Sequence, residues 1–473
     1  MRAGMQRPNS AYTLGSDLHV RGRTSSPNIL LPSPSDSPVS WGRSPSSGRS
    51  SEHRPASYVD LLNSPYAQQL AITQDFTQAG LKGVVGNNAS LLDTKKTLEM
   101  YRMNVKKTPD ASVQYEFAVF LIQAAKDVLE KGSVADLKPE DLTREARQIL
   151  QRLSDRSYPF AQYLLADGFA SGFFNKGKQD YDRAFPLFLA ASKHGHAESG
   201  YRAALCYEQG WGTTRNYAKA AQFYRTSASK NHPGAANRLG HACLHKEMGL
   251  LNNRREGLTW LKRATESADM QYRDAPYELG LLHENGFGDD VFKDEAYAAQ
   301  LFTQAAELGH PLACLKMGEA YEHGKLGCPR DPALSVHFYT GAAQAGIPEA
   351  MMNLCAWYMC GAPPVLDRDE AEAYEWARTA ANCGLPKAEY AVGYFTEMGI
   401  GCRRDPLEAN VWYVKAAEAG DERAKQRLAI IRAAAAGDTS GVGVVPTKEE
   451  VVKDGKGEKG GKKGKWFGWG GGK

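Results

Sequence analysis

The motif HACLH, at residues 241–245, contains the residue types that most often bind a transition metal. His241 and His245 lie one helical turn apart, with Cys243 between them. Two imidazoles at this spacing are half of a zinc site, but the glutamate of an HExxH motif is absent and no third ligand is marked. Cys243 also points to another side of a helix. We therefore predict surface histidines here, and no metal or cofactor anywhere in the chain.

A second candidate is GIG at residues 399–401, which runs directly into a helical pattern. A phosphate-binding loop of this kind occurs once, between a strand and a helix. Equivalent turns recur in this chain after helices, as GWG at 210–212, GFG at 286–288 and GKLG at 324–327. The glycines are therefore predicted to form the turn between two helices of a repeated unit.

Acidic residues and histidines near the predicted helix starts are the remaining candidates for catalysis. General acid–base chemistry needs converging carboxylates with shifted pKa values, and the sequence singles out no such pair. His196, His232 and His310 share one repeat position, which Ile347 and Leu385 occupy in later copies. A catalytic histidine is not exchangeable for leucine within one chain. We predict that these histidines belong to turns, that no residue is catalytic and that the protein is not an enzyme.

The repeat itself fills the middle of the chain. Each copy has a helix, a glycine-rich turn and a second helix, with copies spaced 36 to 42 residues apart. A truncated copy begins at Asp421, and a divergent copy is predicted within residues 105–157. The seven copies begin at Tyr158, His196, His232, Asp274, His310, Ile347 and Leu385.

One position in the first helix always holds a small residue. A glycine inside a helix costs about 1 kcal/mol relative to alanine, so its recurrence predicts that another helix approaches closely there. The residues at this position are Ala166, Ala204, Gly240, Gly280, Gly318, Cys355 and Gly393.

Capping residues define the second helix. Aspartate or asparagine precedes it in every copy, which predicts side-chain caps on the first-turn amides; the residues are Asp180, Asn216, Asn253, Asp294, Asp331, Asp369 and Asp405. For Asn253, Asp369 and Asp405, a glutamate three residues later predicts a capping box. Glycine or asparagine, which tolerate a left-handed helix stop, is predicted to end the helix at Gly195, Asn231, Gly309, Gly346, Gly384 and Gly420.

Aromatic residues also recur in the second helix. Because each unit of a solenoid contacts only its neighbours, we predict that these rings pack between repeats. They are Phe223, Tyr224, Trp260, Phe302, Phe338, Tyr339, Trp376, Trp412 and Tyr413. The eight cysteines show no regular pairing, so we expect reduced thiols and no disulfide.

Composition divides the 473 residues into four regions. Residues 1–104 are rich in Ser and Pro and 438–473 in Gly and Lys, so both are predicted to be disordered. Residues 105–157 hold the divergent helical copy and 158–437 the repeats. The net charge of only +4 predicts no affinity for nucleic acid, and no apolar run is long enough to span a membrane.

Paired helices of this length, with small residues at the crossing and a terminal AEAG or AELG, resemble Sel-one-like repeats. The resemblance implies an all-α fold, a right-handed α-solenoid of helix pairs related to tetratricopeptide arrays. Segments such as TEMGIGCRRDPLEANVWYVKAAEAGDERAK are more specifically similar to the fungal chitin-synthase activator family.

That resemblance implies a non-catalytic adaptor that binds and activates or localises a chitin synthase at sites of polarised growth and septation. It also implies contact with a septin-associated scaffold, and a cytoplasmic location at the plasma membrane of septa and growth sites. Two alternatives remain: a generic solenoid scaffold for signalling or cell-cycle proteins, and a hydrolase. The hydrolase alternative is disfavoured because the paired cysteines of such arrays are missing.

The C-terminal tail offers a route to the membrane. Some family members end in a prenylation box, but this chain ends WFGWGGGK and its last cysteine is Cys402, so we expect no prenylation. Basic residues favour an anionic leaflet, and aromatic residues favour the bilayer interface. A weak peripheral anchor and a merely solubilising tail both fit, and stacking on single-stranded RNA is a third, less favoured use of the same residue types. The candidate membrane contacts are Lys462, Lys463, Lys465, Trp466, Phe467 and Trp469.

The N-terminal region carries two further candidates. Five serines each precede a proline, a pattern typical of proline-directed kinase sites: Ser26, Ser33, Ser37, Ser44 and Ser64. YVDLLNSPYAQQL, residues 58–70, is an apolar island in a polar region. It is either a docking segment for a partner or residual hydrophobicity.

Overall fold

The computed structural model describes residues 58–70, 94–107, 109–131, 138–250 and 253–435. These residues are all-α, without a strand among them. Seven helix pairs, numbered here as repeats 1 to 7, follow one another, and the single helix Glu422–Ala435 completes the array. The pairs are Pro159–Ala170 with Tyr181–Lys193, Ala197–Gln209 with Tyr217–Ala228, Pro233–Leu244 with Arg254–Glu266, Asp274–Asn285 with Glu295–Glu307, Pro311–His323 with Pro332–Gln344, Pro348–Cys360 with Glu370–Asn382, and Pro386–Met398 with Pro406–Glu418.

Each helix packs mainly against the helices that precede and follow it in sequence, as in an α-solenoid. The divergent copy predicted in residues 105–157 is the helix pair Ala111–Lys131 and Pro139–Asp155. One hydrophobic cluster joins this pair to repeats 1 and 2, so the array is continuous from the divergent copy onward. The predicted fold class is confirmed.

The prediction of disorder across residues 1–104 is wrong for two segments. Thr94–Lys107 is a helix that crosses the predicted boundary, and Tyr58–Asn63 is a short helix followed by a helical turn at 66–70. Composition missed them because their few apolar side chains are buried by other parts of the chain. Tyr101, for example, lies with its ring 5.1 Å from that of Phe117.

The small position of the first helix is where the two helices of a repeat approach closely. A Cβ atom at Gly280 would lie 2.7 Å from the Phe302 ring, and one at Gly318 would lie 2.5 Å from the Tyr339 ring. A Cβ at Gly393 would lie 2.8 Å from Tyr413, whereas Gly240 instead approaches the backbone of the opposite helix. The predicted reason for the small residues is confirmed.

The same contacts add to the prediction for the aromatic residues. Phe302 and Tyr339 are fully buried, and each fills the space left by the glycine of its own repeat. They therefore pack within a repeat, and Phe302 also shares a hydrophobic cluster with Met317 of the next repeat. First helices stack between repeats as well: Tyr163 and Tyr277 lie 4.8 and 4.4 Å from the imidazoles of His196 and His310 at the start of the next repeat.

Side-chain caps begin six of the seven second helices as predicted, and Asn253 is the exception. Its backbone is not extended, and its amide nitrogen donates to Glu256 at 3.1 Å, so its side chain caps no backbone amide. The capping boxes at Asp369 and Asp405 are also incorrect. The backbone N–H groups of these residues donate to carbonyls of the preceding first helix, so the glutamates are not needed.

The predicted helix stops are confirmed. Asn231 adopts a left-handed conformation, with φ of 60°, and the five glycines Gly195, Gly309, Gly346, Gly384 and Gly420 have φ between 80° and 97°. These stops lie along one edge of the array, which we call the turn edge: the turn that ends one repeat together with the cap that begins the next.

Candidate interaction site

The three repeat-start histidines cap the first helices. His196, His232 and His310 have extended backbones, and the Nδ1 atom of each accepts the backbone N–H three residues later at 3.1 Å. Ile347 and Leu385, at the same position, provide no side-chain cap. The turn position was predicted from the sequence, but the cap was not, because histidine is rarely considered among capping residues.

A buried carboxylate connects two of these turns. Glu198, with only 8% of its side chain exposed, accepts from Nε2 of His232 at 2.6 Å. The Nδ1 atom of His232 accepts a backbone amide, so the imidazole carries its proton on Nε2 and donates it to Glu198. Arg202 donates to the same carboxylate at 2.9 Å and the Tyr272 hydroxyl at 2.8 Å. Sequence reasoning missed this network, since its members lie in two repeats and in the loop that follows the second helix of repeat 3.

Burial and hydrogen bonding act in opposite directions on these groups. Burial alone raises the pKa of Glu198, but the hydrogen bond from His232 and the charge of Arg202 outweigh it and lower the pKa to about 2. Burial lowers the pKa of His196 to about 4, against the attraction of Glu198. Both residues are thus held in one protonation state near neutral pH. A carboxylate with three donors is fixed in place and serves the structure rather than proton transfer.

A related arrangement recurs at the other end of the array. The Tyr413 hydroxyl donates to Glu397 at 2.7 Å, and Arg427 of the last helix donates to the same carboxylate at 3.0 Å. In repeat 2 the Tyr224 hydroxyl donates to Glu208 at 2.6 Å, and Arg238 of repeat 3 donates at 3.1 Å. Each set ties a repeat to the helix that follows it. The sequence signal was a glutamate four residues after the small position.

The segment 58–70 docks on the turn edge of repeats 1 to 3. Leu61, Tyr66 and Gln69 are 2%, 6% and 3% exposed. The Gln69 side chain donates to the Gly195 carbonyl at 3.1 Å and accepts from the Ala197 amide at 2.9 Å. The apolar island at residues 58–70 is therefore a docking segment, and the surface to which it docks belongs to its own chain.

The rest of this docked segment is held by repeats 2 and 3. The Tyr66 amide donates to the Lys230 carbonyl at 2.8 Å, and the Tyr66 ring lies 4.5 Å from the His232 imidazole. The Lys230 ammonium donates to the Gly195 carbonyl at 2.6 Å and to the Leu61 carbonyl at 3.4 Å. The contacts thus combine backbone groups of two turns with an aromatic surface.

The other predicted sites have different outcomes. His241 and His245 are neighbours with ring centres 4.2 Å apart, whereas Cys243 is fully buried on another side of the helix. Within the described part of the chain, no group of three or more potential ligands is placed to hold a metal ion. Ser64 is half-buried in the docked segment. The predictions for Ser26, Ser33, Ser37, Ser44 and the tail residues Lys462, Lys463, Lys465, Trp466, Phe467 and Trp469 fall outside the described residues.

The stacked helix pairs and their turn edge define the class of protein, an α-solenoid built from short repeats. The chain belongs to the Sel1 repeat family. The Sel1 repeat model matches seven consecutive segments, residues 159–196, 197–232, 233–269, 274–310, 311–347, 348–385 and 386–421.

Three curated relatives extend this similarity beyond the repeats. Chitin synthase regulator SKT5 of Saccharomyces cerevisiae is 44% identical over 79% of this chain and 56% of its own length. Chitin synthase regulator SKT5 of Malassezia restricta is 46% identical over 72% of this chain and 24% of its own length. Chitin synthase regulatory factor 3 of Schizosaccharomyces pombe is 33% identical over 71% and 37%, respectively. The chain thus spans 24% to 56% of the length of these relatives.

None of the helices in the described residues combines the length and apolar character that a membrane crossing requires. All eight cysteines are free thiols, four of them buried in first helices of repeats 2, 3, 5 and 6: Cys206, Cys243, Cys314 and Cys355. Burial raises the pKa of Cys355 to about 12, which keeps it an unreactive thiol inside the core.

Proposed function

We propose that this chain is a non-catalytic adaptor that binds a chitin synthase and activates or localises it at sites of polarised growth and septation. The observation that carries the proposal is the 44% identity, over 79% of the chain, to a protein named as a chitin synthase regulator. The solenoid supports it, since consecutive turns present a long series of binding positions. Activation would follow from tighter binding to the active state of the synthase.

The test is complementation in a Saccharomyces cerevisiae strain that lacks its own SKT5. The full chain is expressed, and wall chitin and the location of the synthase are measured. Restored chitin at the bud neck and septum is the expected result. Unchanged chitin and an unmoved synthase, with the chain present at normal level, contradict the proposal; capture of signalling proteins instead would favour the generic scaffold.

A second part of the proposal is contact with the plasma membrane through the tail. Its support is the sequence, in which a lysine cluster precedes Trp466, Phe467 and Trp469. Each basic residue near an anionic leaflet contributes roughly 1 kcal/mol, so binding is expected to be weak and salt-dependent. The chain truncated after residue 437 should lose sedimentation with phosphatidylserine vesicles; full retention contradicts the anchor. Contact with a septin-associated scaffold stays a prediction.

A further inference from the structure

The docked segment reveals what kind of ligand the turn edge recognises. Three of its side chains are buried: Leu61, Tyr66 and Gln69. The primary amide of Gln69 pairs with a carbonyl and an N–H on either side of His196. The turn itself fixes the positions of these two backbone groups. It therefore binds a glutamine side chain at one defined position.

The aromatic position of the segment is recognised by rings. The Tyr66 ring lies 4.5 Å from the His232 imidazole, which itself lies 4.9 Å from both Tyr201 and Tyr272. The hydrogen bonds that Glu198 accepts from His232 and Tyr272 fix the orientation of both rings. The surface is therefore preformed for an aromatic side chain by buried hydrogen bonds that do not involve the segment.

Lys230 recognises the backbone of the segment. Its ammonium contacts the Leu61 carbonyl in the last turn of the helix Tyr58–Asn63, where a cation is favourable because the helix dipole is negative there. The docked segment can come this close to the turn because residue 195 is a glycine. A Cβ atom there would lie 2.7 Å from the Leu61 carbonyl oxygen and 2.8 Å from the Leu62 Cα.

Three of the equivalent stops in later repeats have no such cover among the described residues. A Cβ atom at Gly346, Gly384 or Gly420 would meet no described atom within 4 Å. The fold itself therefore does not require a segment on the turn edge. The docked segment buries few side chains, so its opening free energy belongs to the low end of the range in a folded protein.

We propose that the turn edge of repeats 1 to 3 is a peptide-binding site that residues 58–70 keep occupied. A partner displaces them with a short segment of two helical turns that presents a leucine, an aromatic ring and a glutamine at the spacing of Leu61, Tyr66 and Gln69. The segment is thus an internal competitor. This proposal goes beyond the adaptor function, because it does not require that the partner be a chitin synthase.

The test uses the full chain and a dye-labelled synthetic peptide with the sequence of residues 57–71, followed by fluorescence anisotropy. A tethered competitor acts at an effective concentration on the order of mM, so the wild-type chain should bind the peptide weakly. The double variant Tyr66→Ala/Gln69→Ala, whose own segment has lost two anchors, should bind it at least about tenfold more tightly. A peptide with alanine in place of its glutamine is the matched probe and should bind weakly to both chains.

Hydrogen exchange at the Ala197 amide reports independently whether the site is vacated. This amide donates to Gln69, so its exchange should be faster in the double variant than in the wild type. Adding Lys230→Ala to the double variant should weaken peptide binding again, since it removes the contact with the backbone carbonyl. Equal peptide affinity for wild type and double variant, or a vacated site that fails to bind the peptide, would overturn the proposal.

Discussion

The two ends of the repeat array use the same backbone but differ at the turn edge. In repeats 2 and 3 the first helices begin with capping histidines, the turn edge covers a buried carboxylate, and the docked segment lies over Gly195. In repeats 6 and 7, Ile347 and Leu385 replace the histidines without capping, and no described residue covers the stops Gly384 and Gly420.

This difference distinguishes the residues that pack the helices of a repeat from the residues that line the turn edge. Gly318 and Gly393 of later repeats, with the aromatic rings opposite them, show that close packing within a repeat continues to the end of the array. The turn edge varies while that packing persists. The variable residues at the turn edge are therefore not required for packing within a repeat, and the proposed recognition would depend on them.

The largest contrast is expected from removing one carboxylate at each end. Glu198→Ala leaves Arg202, His232 and Tyr272 without their shared acceptor in a buried site, which should lower the free energy of unfolding by about 3–5 kcal/mol. The matched variant is Glu397→Ala, whose side chain is 18% exposed, against 8% for Glu198. It should cost about 1–2 kcal/mol. Urea denaturation measures both, and equal losses would mean that the two ends are held alike.

The histidine caps should also make one end sensitive to pH. The pKa of His196 falls from its ordinary 6.5 to about 4 in the folded chain because of burial. The unfolded chain therefore binds a proton below pH 6.5 that the folded chain does not, and stability falls as the pH drops from 6.5 toward 4. Between pH 7 and 5 the loss from this group is roughly 2 kcal/mol.

The variant that tests this effect is His196→Asn. Asparagine keeps a capping oxygen but does not titrate, so the urea midpoint should depend less on pH between 7 and 5 than in the wild type. The control is Leu385→Asn in repeat 7, which should leave the slope unchanged. Measurements stay above pH 5 because the stability that depends on the lowered pKa of Glu198 is complete above pH 4.5 and is lost toward pH 2. An unaltered slope in His196→Asn would show that this imidazole already titrates normally.

A smaller effect should distinguish a covered stop from an open one. Gly195→Ala and Gly384→Ala both place a Cβ atom on a residue with positive φ, 95° and 80°, which costs about 1–2 kcal/mol in each repeat. Only the first also collides with the docked segment. Hydrogen exchange at the Tyr66 amide, which donates to Lys230, should increase in Gly195→Ala alone. The same exchange rate in both variants would mean that the segment does not depend on the space at Gly195.

The periodic features of the array were predictable from sequence because each arises from neighbouring residues. Asp331 and Asp405 cap helices that begin one residue later, and Gly309 and Gly346 end helices by their own conformation. Such local rules need no knowledge of the three-dimensional contacts. They failed at Asn253, because its side chain donates to Glu256 instead of accepting from a backbone amide.

The contacts that join distant parts of the chain were not predictable in the same way. Glu198 and Tyr272 are 74 positions apart, and Gln69 and Ala197 are 128 apart. No periodicity links such pairs, and composition described residues 58–70 only as an apolar island. The segment does contain a glutamine and a tyrosine in a polar region. Their role in docking can be inferred only once the structure of the turn that binds them is known.

The smallest predicted effect concerns Ser64, the one candidate phosphorylation site within the docked segment. Ser64 is half-buried between two helical turns, and its carbonyl accepts from Gln69 at 2.9 Å. A proline-directed kinase binds its Ser-Pro site as an extended chain, so it acts on the fraction of molecules in which the segment has opened. Gln69→Ala should therefore raise the rate of Ser64 phosphorylation about threefold or more.

Ser26, Ser33, Ser37 and Ser44 provide the internal control, because each is followed by proline and each is far in sequence from Gln69. Quantitative mass spectrometry of a phosphorylation time course follows all five sites in one sample. A selective increase at Ser64 would mean that docking protects the site, and that its modification reports release of the segment. A rate at Ser64 that Gln69→Ala does not change would mean that the kinase reaches the docked segment directly, and the contrast between a closed and an open turn edge would then not extend to phosphorylation.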